Sequence, residues 1–506
     1  MTDNTGSTLA DSPPAQPVAG SLRRHAIRYA IGNILTRAVA FLMLPIYTRY
    51  LSPADYGVAA LIEMTLDVIG MIGGAGIGLG IFRFFHKADN ESDRRAVVST
   101  AMTSLVLAYG LIGLGVFLAS EPISVLLFRS PMHAGLIRLA GISLSVQGLI
   151  WVPLAHARVL ERSALVVTAS VVKLVISLTL NLVFIVGMEL GVRGIFLSSL
   201  GSNVAIAAWL GFITIRRVGL RIRPDMVRSL MRFGVPLVGV QAATFTMTFA
   251  DRYFLQHAGN ETMVGIYNLA YQFGFMMLML GFVPIEMVWG PRRFQVARGP
   301  DPSAPLAQAF RLINVSVFTV GVGIALFVGD VLRIMSTPPF HPAARIAPIV
   351  LAAYVFHSWA MMHDIGALVK ERTEYLTVAN WVAALVALAA FATLVPRFLA
   401  TGAAAAAILA FGTRWALTYV FSQRLWPVRY DWPPVLRNAL VAIGIATFGA
   451  LLPRLPLLTS MATHALLFGM YAVLVWNARV LTVAEKRRGI EIVSRLPGAL
   501  RLRRSA

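Results

Sequence analysis

Long runs of apolar side chains, each broken by a short polar connection, repeat along the whole chain. Spans of about 20 residues cross a bilayer as helices. Runs of that size fall near 26–48, 57–82, 96–119, 135–157, 164–187, 194–215, 233–257, 265–290, 312–335, 346–368, 376–396, 401–422, 436–454 and 460–482. The pattern predicts an all-α integral membrane protein of about fourteen transmembrane helices. The runs holding Arg37 and the pair Glu63 and Asp67 are the least clean.

Basic residues orient the spans. Of 44 Lys and Arg, thirty lie on alternate connections and both termini, and six lie on the intervening connections. The excess marks the cytoplasmic side and places both termini there. It also supports an even helix count, because one missed helix would break the alternation. The connections predicted to lie outside are short, and none is large enough to form a separate domain. Segment 216–232 is basic and amphipathic and predicts a cytoplasmic linker helix. The expected organisation is a disordered tail (1–20), an N-terminal lobe of six helices (21–215), the linker (216–232), a C-terminal lobe of six (233–422), a terminal helix pair (423–482) and a basic tail (483–506).

Composition narrows the functions. The chain is 57% hydrophobic and 13% charged, with a mean hydropathy of +0.72, against about 25% charge in ordinary soluble chains. Its net charge of +21 is spread in short clusters, which reads as topology and not as a nucleic-acid surface. There is no cysteine, so thiolate catalysis and Cys-based metal sites are excluded. No phosphate-binding GxxxxGK[ST] loop and no HExxH occurs, and no cofactor or metal is expected. His363 and Asp364 are adjacent and face different ways on a helix. Transport remains, driven by an ion gradient or by the substrate's own gradient.

Charges within spans carry the candidate chemistry, since each costs about 2.5–3.5 kcal/mol at the bilayer centre. At 1.5 Å per residue, Arg37 and Asp67 lie about 15–16 Å deep on consecutive antiparallel helices. Glu63 shares the face of Asp67. Two readings fit: a structural ion pair, or the wall of a polar cavity whose carboxylates couple transport to a cation. Lys173, with Asn181 two turns on, is a cavity-facing cation or snorkels to the interface. Arg28, Arg414 and the pair Asp251–Arg252 are further candidates. Glu286 and Asp330 read as structural, and His357 as a packing residue before a proton relay. Pro45 and Pro284 lie inside helices and are candidate hinges.

An internal repeat is visible. Thr48-Arg49-Tyr50 leads into Tyr56-Gly57, and Asp251-Arg252-Tyr253 leads into Gly265-Ile266-Tyr267. Such repeats build secondary transporters around a site between the halves. The stretch TRYLSPADYG at 48–57, preceded by Thr36-Arg37 and Pro45, resembles the amino-terminal signature of the polysaccharide transporter family. That family belongs to the multidrug/oligosaccharidyl-lipid/polysaccharide exporter superfamily. FADRYFLQHAGNETMVGIYNLAYQF at 249–273 is similar to its second-lobe signature. The resemblance spans roughly residues 21–482. It implies a flippase carrying undecaprenyl-pyrophosphate-linked oligosaccharides across the inner membrane by alternating access. It further implies Arg37, Arg49 and Arg252 as cavity residues for the pyrophosphate, lipids and this glycan as partners, and contact with a polysaccharide polymerase and chain-length proteins. Glu63 and Asp67 depart from a purely cationic cavity. An ion-coupled multidrug exporter, a lipid II flippase and an O-antigen polymerase or ligase are the rival readings.

Overall fold

The computed structural model describes residues 43–74, 77–453, 455–478, 480–482 and 485–487. The described residues form helices and connections, with no strand. In order, the helices are α1 (Leu44–Tyr50), α2 (Pro53–Gly74), α3 (Ile77–Lys87), α4 (Glu91–Leu118), α5 (Ser120–Phe128), α6 (Ala134–Ser145), α7 (Gly148–Val159), α8 (Ser163–Asn181), α9 (Val192–Val218), α10 (Pro224–Phe249), α11 (Asp251–Ala258) and α12 (Glu261–Met277). They continue as α13 (Val283–Ala297), α14 (Ser303–Met335), α15 (Ala343–His363), α16 (Ile365–Val369), α17 (Glu374–Leu425), α18 (Trp432–Leu451) and α19 (Leu457–Asn477).

Among the described residues, eleven helical stretches are long and apolar enough to cross a membrane, twelve with the pair α10 and α11, which meet at a 42° bend. The 52-residue α17 is broken at Leu399, whose φ of 48° leaves the helical region, so it holds the two runs expected at 376–396 and 401–422. The expected first span, 26–48, lies mostly outside the described residues, and so do the tails 1–20 and most of 483–506. A count of fourteen therefore stays an expectation. Large apolar side chains such as Leu111, Leu118, Leu440 and Leu466 face outward. No soluble core explains that placement; hydrocarbon does.

Helix ends follow local chemistry. Asn90 and Asn260 cap α4 and α12, their side chains accepting from the amides of Asp93 and Met263. One expectation needs correction. The basic stretch 216–232 does not form a separate linker helix. α9 ends at Gly219, whose φ of +74° suits glycine, and Pro224 starts α10, which runs on through the membrane. The connection between them is held by Ser99, whose hydroxyl donates to the Gly219 carbonyl and accepts from the Arg221 amide.

Packing sets the frame. α2 runs along α12, α15 along α17, α4 along α6, and α8 along α9. The terminal pair α18 and α19 docks on α14. Asp330 accepts from the Ser460 hydroxyl at 2.7 Å and meets His464 at 2.6 Å, while Arg311 donates to Asp431 and Glu485 at 2.7 and 2.6 Å. Asp330 is thus a structural anchor, as its place near a helix end suggests.

Candidate functional site

A cavity of about 400 Å³ opens between α1, α8 and the ends of α2 and α12. Its wall holds Met43, Leu44 and Tyr47 of α1, Ser170, Lys173, Ser177 and Asn181 of α8, Tyr56 of α2 and Gln272 of α12. Four of these α8 residues recur at helical spacing (170, 173, 177, 181), so one polar stripe of an otherwise apolar helix faces the space. Lys173 is exposed in this stripe, and no ion pair holds it among the described residues. Amide and hydroxyl groups supply the remaining polarity. That lining suits an anionic group beside a hydroxyl-rich one.

On α2, Tyr56, Glu63 and Asp67 recur at seven and four residues, so they share one face. Both carboxylates are exposed and form no ion pair among the described residues. Arg37 and Arg28 lie outside the described residues. Arg49 ends α1 as an exposed side chain. Pro45 lies in the first described turn of α1, next to the residues outside the described range. Pro284 follows the π-helical turn Leu278–Phe282, where the chain passes from α12 to α13 within one continuous helical stretch.

Arg252 does not line the cavity. It is 1% exposed and its neighbour Asp251 0%. Nη1 of Arg252 donates to Asp251 Oδ1 at 2.8 Å and to the Thr248 carbonyl at 2.7 Å, and its guanidinium lies 4.0 Å from the Tyr271 ring centre. Tyr267 donates to Asp251 Oδ2 at 2.6 Å. The pair is a closed, desolvated unit, which the resemblance placed among the substrate contacts. Arg414 is half-buried and donates to His357 Nδ1 at 3.3 Å, away from the cavity wall.

The repeat seen in the sequence brings α2 and α12 into close contact beside the cavity residues Tyr56 and Gln272. A Cβ on Gly57 would lie 2.0 Å from the Glu261 carbonyl oxygen, and one on Gly265 would lie 1.9 Å from that of Pro53. The contact is reciprocal: each glycine meets the carbonyl four residues before the other. Gln272 donates to the Tyr56 hydroxyl at 2.6 Å across the same seam, and Thr65 of α2 meets Tyr253 of α11 at 2.9 Å. Thr48 donates to the Met335 carbonyl and Thr337 to the Thr48 carbonyl, closing the flank. Sequence reasoning found these glycines as a repeat but not as a contact. The repeat itself was the signal, since equivalent positions of two related halves meet at their symmetry axis.

Comparisons with known proteins agree with this geometry. Over 135 residues the chain is 30% identical to the lipid III flippases of Escherichia coli (strain K12) and Shigella flexneri. That stretch is 26% of this chain and 31% of each relative. Among solved structures, the lipid II flippase MurJ in an inward closed conformation superposes with a TM-score of 0.69 at 12% identity, over 90% of this chain and all of MurJ. An inward-facing multidrug resistance MATE transporter of the MOP superfamily gives 0.58 at 15% identity, over 78% of this chain and 97% of its own. These likenesses establish the fold. Residues 22–296 match the family described as polysaccharide biosynthesis protein, and with more than half of its length inside that match, the chain belongs to this family.

Proposed function

We propose that the chain is an inner-membrane flippase that moves undecaprenyl-pyrophosphate-linked oligosaccharides from the cytoplasmic to the periplasmic leaflet for surface polysaccharide synthesis. The observation that carries this reading is the Lys173 cavity, a polar space beside the close α2–α12 contact at Gly57 and Gly265. The family match and the lipid III flippase relatives support it. The halves 21–215 and 233–422 would rock about that cavity, exposing it to each leaflet in turn. Lys173 and Arg49, together with Arg37 of the expected span 26–48, would meet the pyrophosphate, while Tyr47, Asn181 and Gln272 would meet the sugars. Guanidinium suits phosphate because its planar donors bind two oxygens and stay charged. The flippase acts as a transporter, not an enzyme.

In proteoliposomes holding a fluorescent undecaprenyl-pyrophosphate-linked disaccharide, Lys173→Ala should slow flipping about tenfold, the equivalent of about 1.5 kcal/mol for one lost charge-assisted contact. Lys173→Arg should retain most of the rate. Equal rates for wild type and Lys173→Ala would exclude this cavity as the route. The exposed carboxylates Glu63 and Asp67 favour a second reading, an exporter of organic cations. Efflux of a cationic dye by the same vesicles, with no flipping of the lipid, would establish that one instead.

The charge asymmetry sets the orientation of this scheme. Reporter fusions at Ala88, Asp225 and Arg495 should report the cytoplasm, and a fusion at Val125 the periplasm. A periplasmic signal at Asp225 would overturn the division into two halves.

A further inference from the structure

Remote from the cavity wall, α13 carries a second cluster of charge. Arg293 is buried, and its Nη1 donates to Asp364 Oδ1 at 2.9 Å and to the Met361 carbonyl at 3.0 Å. The same nitrogen lies 3.8 Å from Glu286 Oε1. Glu286 sits seven residues before Arg293, on the same face of α13. Gly290 leaves room between them, since a Cβ there would lie 3.1 Å from Glu286 Oε1. Two carboxylates therefore compete for one guanidinium. Only Asp364 holds a hydrogen bond to it.

The groups facing Asp364 come from three elements. Glu286 and Arg293 come from α13, Arg414 from α17, and Tyr430 from the connection into α18. His357 accepts from Arg414, and His363 packs 4.4 Å from the ring of Tyr430. Among the described residues, Glu286 Oε2, Arg293 Nε, Trp289 Nε1, His363 Nε2 and Trp415 Nε1 are buried with no hydrogen-bond partner. Two guanidiniums and two carboxylates balance, so the cluster holds no net charge to attract an anionic ligand. Nor do three His, Asp or Glu side chains converge as metal ligands among the described residues. The smallest cation, a proton, fits what remains.

Geometry also links the cluster to the α2–α12 contact. α12 carries Gly265 and α13 carries Arg293, and the π-helical turn Leu278–Phe282 with Pro284 lies between them. Charged and polar networks within membranes are kept where they serve ion pathways or relays.

We propose that Glu286, Arg293 and Asp364 form a proton-binding unit that couples transport to a proton gradient through the π-helical turn between α12 and α13. A proton adding to Asp364 gives a neutral carboxyl, and Arg293 then closes onto Glu286. That exchange gives up one of the two Arg293 bonds to the α15–α16 region, leaving the one to the Met361 carbonyl, and loosens α13 so that α12 moves at Gly265. Loss of the proton to the opposite side restores the Asp364 bond. No covalent bond other than the O–H forms or breaks. The inference rests on the transport reading, and it moves the coupling role from Glu63 and Asp67 on α2 to the other half of the chain.

The test uses the full chain and two readouts. Four of its nine tryptophans, Trp289, Trp359, Trp415 and Trp432, lie at or beside the cluster, so intrinsic emission of the purified protein in nanodiscs reports its titration without any substrate. Expected is a pH-dependent emission change in wild type that Asp364→Asn and Glu286→Gln each remove and that Glu63→Gln with Asp67→Asn retains. An imposed pH gradient should speed flipping of the fluorescent lipid-linked disaccharide severalfold in wild type and leave the rate of Glu286→Gln unchanged. If both single variants titrate as wild type does, or if gradient stimulation survives in Glu286→Gln, the proposal is overturned. Should Asp364→Asn fail to fold, Glu286→Gln decides alone, because Glu286 holds no short hydrogen bond whose loss would unfold the chain. Variant-dependent titration without flipping of the disaccharide would support proton binding here and overturn the substrate assignment.

Discussion

Gly57→Leu is expected to abolish flipping while the protein still inserts, and to open its cavity toward the Gly57 face. The position has no spare volume. Even the first carbon of a side chain would lie 2.0 Å from the Glu261 carbonyl oxygen, and that oxygen belongs to helix backbone that no rotamer change can move aside. Overpacking of this kind costs about 1–3 kcal/mol. Here the cost falls on one conformation only, because separating α2 from α12 relieves it. A bias of that size shifts a two-state equilibrium by about 5- to 150-fold. The chain has no cysteine, so a single Ser177→Cys in the cavity wall can be labelled with a membrane-impermeant maleimide from each face. Labelling from the Gly57 face should be slow with Gly57 present and should rise at least tenfold, about 1.4 kcal/mol of bias, in Gly57→Leu. Gly265→Leu should reproduce both effects, since the contact is reciprocal. Unchanged labelling in both variants would show that this seam is not the barrier.

The second large effect concerns Arg252. Arg252→Ala should destabilise the chain and not merely its transport. The substitution leaves the Asp251 carboxylate buried at 0% exposure beside Tyr267, and removing one partner of a buried pair costs about 3–5 kcal/mol. A thermal shift assay in detergent should therefore show a large drop in midpoint, with little monodisperse protein recovered. The double variant Asp251→Asn with Arg252→Gln should recover part of the loss, because it removes both charges together. If Arg252→Ala proves as stable as wild type yet fails to flip the lipid, the arginine serves the substrate in another conformation of the cycle. The measurement thus separates a scaffold role from a binding role.

Much of the architecture was legible in the sequence because the bilayer imposes it. Apolar runs near twenty residues, positive connections on alternate sides and the Thr48–Gly57 signature each act locally or against the membrane, so no knowledge of helix neighbours was needed. Lys173 and Asn181 could be placed on one stripe for the same reason, from helix periodicity alone. Neighbours decided the rest. Depth along a helix says nothing about rotation toward a partner, so Arg252 read as a cavity cation until Asp251, Tyr267 and Tyr271 closed around it. The paired glycines looked like a repeat, and only the packing of α2 along α12 made them a contact. Gly219 and Pro224 divide the basic stretch 216–232, because the Ser99 side chain of α4 captures the connection between them. Glu286 and Asp364 lie 78 positions apart, and it is the packing of α13 on the α15–α16 junction that brings both carboxylates to one guanidinium. Such pairings depend on which faces meet, and the sequence by itself determines the faces but not the meeting.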